Sequence, residues 1–295
     1  MQKQKKIKAA VTGASGFIGS KLIPFLLKNN FEVTAIVRKP ISLPPGCVVA
    51  LCDILDYESL SETVSRSDIV FHLAGIVGVN PCENDVYKTV DVNINGTLNV
   101  LDSAKYFNKP MIFASVSNVN DYTIYSISKA TSERFVMMYN KEHKTNFIPV
   151  RIYNVYGPNQ DLKSGKLIIN GIIRGLKGKP ISIYGEGSQI MDFIYMDDVV
   201  TQLLSLANMM LFDFKFNKNK VFEIGTGKGT SIIEAAKVIV NATGNKSKII
   251  FKPKRDGDKM MKLVAHRNNL VTNTIKVTNF EEGIIKTTKE IRKHL

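Results

Sequence analysis

The 295-residue chain has few groups that bind metals or cross-link a fold. It holds three cysteines, Cys47, Cys52 and Cys82, and four histidines. The cysteines are odd in number and lack zinc-type spacing, and the histidines are scattered singly. No metal site is implied, and a reducing, cytoplasmic setting is expected. Long hydrophobic runs are absent too. The most apolar helical stretch, Val199 to Phe212, is broken by Thr201, Gln202, Ser205 and Asn208, and it falls short of the roughly 20 residues of a membrane span. A buried core helix is expected there. Acidic residues are scarce, with 26 Asp and Glu against 40 Lys and Arg and a net charge of +14. That excess points to nucleic acid, an anionic membrane surface or an anionic substrate as partner. The lysines spread along the whole chain, with no stripe interleaved with aromatics, which argues against nucleic acid. Lys3, Lys5, Lys6 and Lys8 precede an apolar patch, but Gly13, Gly16 and Gly19 interrupt it, so no secretion signal is expected. Neither an internal repeat nor a low-complexity linker occurs.

With 44% hydrophobic residues, the chain suffices for one large α/β domain or two modest ones. "IKAAVTG" (7 to 13) is an apolar run ending at glycine. A helical pattern from Phe17 to Lys28 follows, then "FEVTAIV" (31 to 37). This is a βαβ unit. Apolar runs recur at Val48 to Leu51, Ile69 to Leu73, Met111 to Ala114 and Phe147 to Ile152, with helical patterns at Asn93 to Lys105 and Tyr125 to Glu142. The alternation predicts a doubly wound parallel sheet. After Tyr156 the texture changes to a loop, a helical Leu167 to Leu176, and a short strand and turn in "KPISIYGEGSQ". A smaller second domain is expected there, with residues 5–157 and 193–228 forming the first domain and 158–192 and 229–295 the second.

"VTGASGFIGS" places Gly13, Gly16 and Gly19 between strand and helix, where they permit a tight turn, close approach to a pyrophosphate, and close helix packing. An acidic residue ending the second strand would hold a ribose 2′-hydroxyl; the chain has Val37, Arg38 and Lys39 instead. The guanidinium fork of Arg38 suits a 2′-phosphate, which favours NADP(H) and leaves NAD(H) open. Asp53 in "CDILD", after the third strand, is placed to meet an adenine amine. In "FASVSNVNDYTIYSISK" (113 to 129), Tyr125 and Lys129 stand four apart, one turn along one helical face. An ammonium there would depress the pKa of the phenol, whose ordinary value near 10 makes it a poor base at neutral pH. Ser115 and Ser117 flank Val116 just upstream.

Taken together, "TGASGFIGS", "DIVFHLAG", "VNINGT", "YSISK", "RIYNVYGP", "GEGSQIMDFIYMDDV" and "FEIGTGKGTS" resemble the extended short-chain dehydrogenase/reductase family of NAD(P)-dependent nucleotide-sugar epimerases, dehydratases and reductases. The resemblance runs from about Ile7 to Ile284. It implies a Rossmann domain holding NAD(P), a smaller C-terminal α/β domain holding a nucleoside-diphosphate sugar, and chemistry in the cleft between them. Tyr125 is then the acid/base, and Lys129 lowers its pKa while bonding the nicotinamide ribose. Cofactor contacts fall to Gly13, Ser15, Gly16, Phe17, Ile18, Gly19, Arg38, Asp53, Ile54, Leu73, Ala74, Gly75, Asn93, Tyr153 and Val155. Substrate contacts fall to Asn154, Lys166, Leu167 and Arg255. Family members are often homodimers through a helical bundle.

Three departures bear on the reaction. Val116 occupies the family's hydroxyl position, so Ser117 or Ser115 must substitute, with Ser117 preferred. Met191 replaces an Arg that grips a phosphate. Ser117 and Asn118 stand where a dehydratase carries an Asp-Glu pair and a decarboxylase the Glu, and neither is a general acid near neutral pH. What remains is hydride transfer at a sugar carbon. Arg38 favours an NADPH-dependent keto-sugar reductase; a 4-epimerase with tightly bound cofactor and a non-catalytic NADP(H) sensor or scaffold are the alternatives.

Overall fold

A computed structural model describes residues 6–162, 166–213, 220–254, 262–271 and 275–295. The chain begins with β1 (Ile7–Thr12), α1 (Phe17–Lys28), β2 (Phe31–Val37), β3 (Cys47–Leu51), α2 (Tyr57–Ser65) and β4 (Ile69–His72). Two short helices, α3 (Val79–Asn84) and α4 (Val86–Val90), lead through a π-helical turn at Asp91–Asn95 into α5 (Gly96–Tyr106). Then come β5 (Met111–Val116), α6 (Ile124–His143) and β6 (Phe147–Ile152). The second half holds β7 (Asn154–Tyr156), α7 (Leu167–Leu176), β8 (Ile181–Tyr184), β9 (Ile190–Met191), β10 (Phe193–Tyr195) and α8 (Met196–Phe212). It ends with β11 (Phe222–Ile224), β12 (Thr230–Ser231), α9 (Ile232–Ala242), β13 (Ile249–Lys252), β14 (Lys262–Leu263) and α10 (Phe280–Arg292).

These elements divide into two compact units, one of residues 1–152 and 200–222, the other of 153–199 and 223–295. The large sheet has seven strands in the order β11-β6-β5-β4-β1-β2-β3, and the pairings among β1 to β6 are all parallel. This is the expected Rossmann-type doubly wound architecture. Its apolar runs stay continuous because helices cover both faces: Ile69, Val70 and Phe71 on β4 and Met111, Ile112 and Phe113 on β5 are buried throughout. The apolar stretch in α8 lies in the core as expected, with Val199, Val200, Leu203, Leu206 and Ala207 buried. No helix of the described residues is long and apolar enough to cross a membrane.

Local chemistry sets the ends of α6, the helix that carries the Tyr-Lys pair. The Thr123 hydroxyl caps its start by accepting from the Ser126 amide, and Lys144 in a left-handed conformation ends it. The Asn140 side chain then fastens the turn into β6, accepting from the Phe147 amide at 3.0 Å and donating to the Phe147 carbonyl at 2.6 Å.

The second unit has its own core of Tyr156, Ile168, Ile172, Ile181, Ile183, Phe193, Tyr195 and Ile239. Strands β7 and β10 pair in parallel, as do β8 and β13. Strand β9 pairs antiparallel with β12 and parallel with β14. Met191 packs against this apolar core.

Candidate active site

The glycine turn is built by close approach of two chain segments. Gly13 has φ of 67°, and a Cβ there would lie 2.7 Å from the Ala74 nitrogen and 2.7 Å from the Leu73 carbonyl carbon. A Cβ on Gly19 would collide with the Gly13 carbonyl oxygen. The turn therefore presses β1 and α1 against the loop after β4, leaving room for glycine alone. Gly16 stands at the N-cap of α1, and no side chain caps that helix. Its first amides, next to Ser15, Phe17 and Ile18, are thus left for an anion, where the helix dipole favours negative charge.

Beneath the turn runs an ordered polar chain. The Thr97 hydroxyl donates to the Asn93 carbonyl at 2.6 Å, so its oxygen accepts from His72 Nε2 at 3.0 Å. His72 Nδ1 then accepts the Thr12 hydroxyl at 2.7 Å, and the Thr12 oxygen accepts from the Ala74 amide at 3.2 Å. Burial pushes the His72 pKa down to about 3, so the ring is neutral, as this chain requires. Nothing in the spacing of Thr12, His72 and Thr97 reveals it; only the adjacency of β1 and β4 does.

Asn93 sits in the π-helical turn, where one continuous helix was expected. Its carbonyl accepts from Thr97 and, at 2.7 Å, from Ser132, two side chains that draw it out of an ordinary helical ladder. Its amide group grips the loop containing Gly75: Oδ1 accepts from the Ile76 amide at 2.7 Å, while Nδ2 donates to the Ile76 carbonyl at 3.1 Å and to the Ser128 hydroxyl at 3.0 Å. Asn93 thereby ties the Ala74–Ile76 loop to α6.

On α6, Tyr125 is half-buried and Lys129 is 5% exposed. The Lys129 amine lies 4.2 Å from the centroid of the Phe113 ring on β5. The electrostatics differ from the expectation. Desolvation pushes the Tyr125 phenol up to about 12 instead of lowering it. Desolvation also lowers Lys129 to about 7, against a smaller opposing pull from Glu133. The same burial that positions the pair weakens the charge through which the amine would act on the phenol.

The two candidate serines separate clearly. Ser115 is buried, and its hydroxyl donates to Glu133 Oε2 at 2.6 Å. The Glu133 carboxylate also accepts Arg151 Nε at 3.2 and 3.1 Å and Nη2 at 2.6 Å. Val116 is buried, whereas Ser117, past the strand end, is half-buried, and its side chain has no hydrogen-bond partner among the described residues. Asn118 donates to Asp121 at 3.3 Å within the short loop leading to α6. Glu133 was not anticipated, although its place four residues beyond Lys129 continues the same helical face.

The remaining candidates are scattered. Arg38, just after β2, is exposed. Asp53 accepts from the Leu55 amide at 3.0 Å, and buried Ile54 would crowd a Cβ on Gly96. In the second unit, Tyr153 donates its hydroxyl to Glu223 at 3.0 Å. Asn154 donates to the Asp192 carbonyl at 3.2 Å, Val155 is half-buried, and Lys166 occupies the N-cap position of α7 ahead of Leu167 without a side-chain cap. Arg255 lies outside the described residues. Asp192, beside Met191 in the quoted motif, is the second unit's unanticipated anchor. Its buried carboxylate accepts from the amides of Thr226 at 3.0 Å, Gly227 at 2.8 Å and Ala265 at 3.2 Å, and from the Thr226 hydroxyl at 2.6 Å. No group of three His, Cys, Asp or Glu among the described residues is arranged to hold a metal.

Known proteins share this pattern. The sequence profile described as the NAD dependent epimerase/dehydratase family matches residues 9–225. A putative UDP-glucose 4-epimerase of Methanocaldococcus jannaschii is 31% identical over 273 residues, covering 84% of this chain and 86% of that protein. A UDP-N-acetyl-alpha-D-glucosaminuronate decarboxylase of Bacillus cytotoxicus is 30% identical over 276 residues, covering 84% of each. Among solved structures, the UDP-glucose 4-epimerase of Thermotoga maritima with UDP-glucose superposes with a TM-score of 0.86 at 26% identity, covering 98% of this chain and 99% of that one.

Proposed function

Because the chain belongs to the NAD-dependent epimerase/dehydratase family, we propose that it is a 4-epimerase of a UDP-linked sugar, working with tightly bound NAD. The observation that carries this reading is the Tyr125–Lys129 pair on the inner face of α6, beside the loop that Asn93 fixes, with no carboxylate at Ser117 or Asn118. Relatives named for epimerisation and for decarboxylation both match. A decarboxylase of the family would keep a Glu where this chain has Asn118, which favours epimerisation. Arg38 is what favours NADPH and net reduction in the sequence. That side chain is exposed, and the matching profile is described as NAD dependent, so NAD is preferred.

The residues present fit such a cofactor. The uncapped start of α1 and the glycine-only cradle at Gly13 would receive its pyrophosphate. Gly75 and Lys129 would receive the nicotinamide ribose: a Cβ at Gly75 would come within 3.9 Å of the Lys129 amine. When bound, NAD supplies a hydride acceptor that returns what it takes. Deprotonated, Tyr125 would take the proton of the sugar hydroxyl as that carbon gives up its hydride, and the resulting phenol would return the proton to the keto oxygen on reduction; in the ligand-free site burial keeps the phenol protonated. Ser117 supplies the second hydrogen bond that orients that oxygen. Most of the cofactor residues belong to the first unit, with Tyr153 and Val155 in the second, and Asn154, Lys166 and Leu167 of the second would meet the nucleoside-diphosphate sugar.

The test is incubation of the purified protein with UDP-glucose, UDP-galactose and their N-acetyl counterparts, with products separated chromatographically. Interconversion without net change in cofactor absorbance supports the proposal. Tyr125→Phe should reduce it by about 10² to 10⁴-fold while NAD binding persists. Steady consumption of NADPH with keto sugars, and no interconversion, would favour the reductase instead.

A further inference from the structure

The face of α6 that carries Tyr125 and Lys129 continues to Glu133, which is 6% exposed. A carboxylate so buried is costly unless paired. Here it is fixed from two strands: Ser115 on β5 donates one hydrogen bond, and Arg151 on β6 donates through both Nε and Nη2. Three side chains, each one turn from the next, thus form a ladder whose far end is clamped to the sheet. The centroid of the Phe113 ring on β5 lies 4.2 Å from the Lys129 amine.

We propose that Glu133 is a positioning residue: anchored by Arg151 and Ser115, its carboxylate holds the Lys129 ammonium on the inner face of α6, one turn from Tyr125. This rests on the reading of Tyr125 and Lys129 as the acid/base pair. The ionisable groups around the amine are Glu133 and Tyr125 on α6, Cys82 on α3, His72 on β4, and Arg151 on β6 acting through Glu133. The π-helical turn presents Asn93, which carries no charge. Of these groups, Glu133 contributes the largest pull in favour of the charged amine, opposing the desolvation that drives it toward neutrality. Arg151 offsets part of that pull.

The readout is thermal stability of the ligand-free protein against pH, which requires no assumption about substrate. Lys129 has a folded pKa of about 7 below its unfolded value near 10.4. Between those values the unfolded chain binds more protons, so the Lys129 contribution makes stability rise with pH across that window. Subtracting the curve of Lys129→Met isolates this rise and its onset near pH 7. Glu133→Gln should move the onset down by about one pH unit, and Arg151→Met, which leaves the carboxylate unneutralised, should move it up by about the same amount. Glu133→Asp should restore the wild-type onset. A uniform loss of melting temperature with an unmoved onset in both charge variants would reduce Glu133 to a structural residue and overturn the proposal. Either variant decides the matter if the other fails to fold. Where epimerase activity is measurable, the pH profile of kcat should shift in the same directions. Absence of any sugar interconversion would defeat the proposed activity and leave the stability test intact.

Discussion

Ser115 and Ser117 stand two residues apart at one strand end, and their surroundings give them different work. Ser115 spends its hydroxyl on Glu133, while the Ser117 hydroxyl has no hydrogen-bond partner among the described residues. Ser117→Ala should therefore lower turnover by about 10² to 10³-fold, the usual cost of an oriented donor to the reacting oxygen, whereas Ser115→Ala should change it by less than about tenfold. Steady-state kinetics on the two variants separates them, and the opposite ranking would assign the role to Ser115. The Tyr125–Lys129 spacing was legible because a helix repeats locally. The partner of Ser115 was not, since Glu133 lies 18 residues downstream on α6 and Arg151 lies on another strand. The pKa direction of Tyr125 departs from its sequence for a related reason: spacing reports the neighbouring cation, and only the packed structure reports the desolvation that raises it.

Element boundaries followed closely from pattern where apolar periodicity met a clear punctuation mark. Helix α1 runs from Phe17 to Lys28 and α7 from Leu167 to Leu176, as expected from their sequences. The pattern from Asn93 to Lys105 predicts a single helix, but the segment opens in a π-helical turn because Thr97 and Ser132 take the Asn93 carbonyl. Ser132 belongs to α6, so no window around Asn93 contains the cause. The same limit hid Asp192, which gathers amides from the segments at Thr226–Gly227 and Ala265. Asp192→Ala would leave three amide donors, Ala265 buried and Thr226 and Gly227 partly buried, without an acceptor, at about 1–3 kcal/mol for each one that water does not reach. A fall in melting temperature of about 6 °C or more is expected, with Asp192→Asn recovering part of it. A melting point unchanged by Asp192→Ala would mean that those loops do not depend on the carboxylate.

For the whole molecule, the order of seven motifs along the chain was enough to place the family: "TGASGFIGS" and "DIVFHLAG" mark strand ends of the doubly wound sheet, while "VNINGT" and "YSISK" lie on the helical segments Asp91–Tyr106 and α6. The first unit is not contiguous, however: it takes residues 200–222 after a long excursion through 153–199. Helix α8 contributes buried Val200, Leu203, Leu206 and Ala207 to it. A fragment ending at residue 152 should therefore expose apolar surface and aggregate, while full-length protein stays monodisperse; light scattering of the two tests this. A soluble, cooperatively melting 1–152 fragment would show that the sheet closes without α8.

That late contribution has a consequence during synthesis. Residues 153–199 leave the ribosome before the segment that completes the earlier part, so the nascent β-sheet must wait with one flank uncovered while more than forty later residues emerge. A chaperone that shields apolar patches on growing chains should raise the yield of this protein most when translation is slowed between codons 153 and 222.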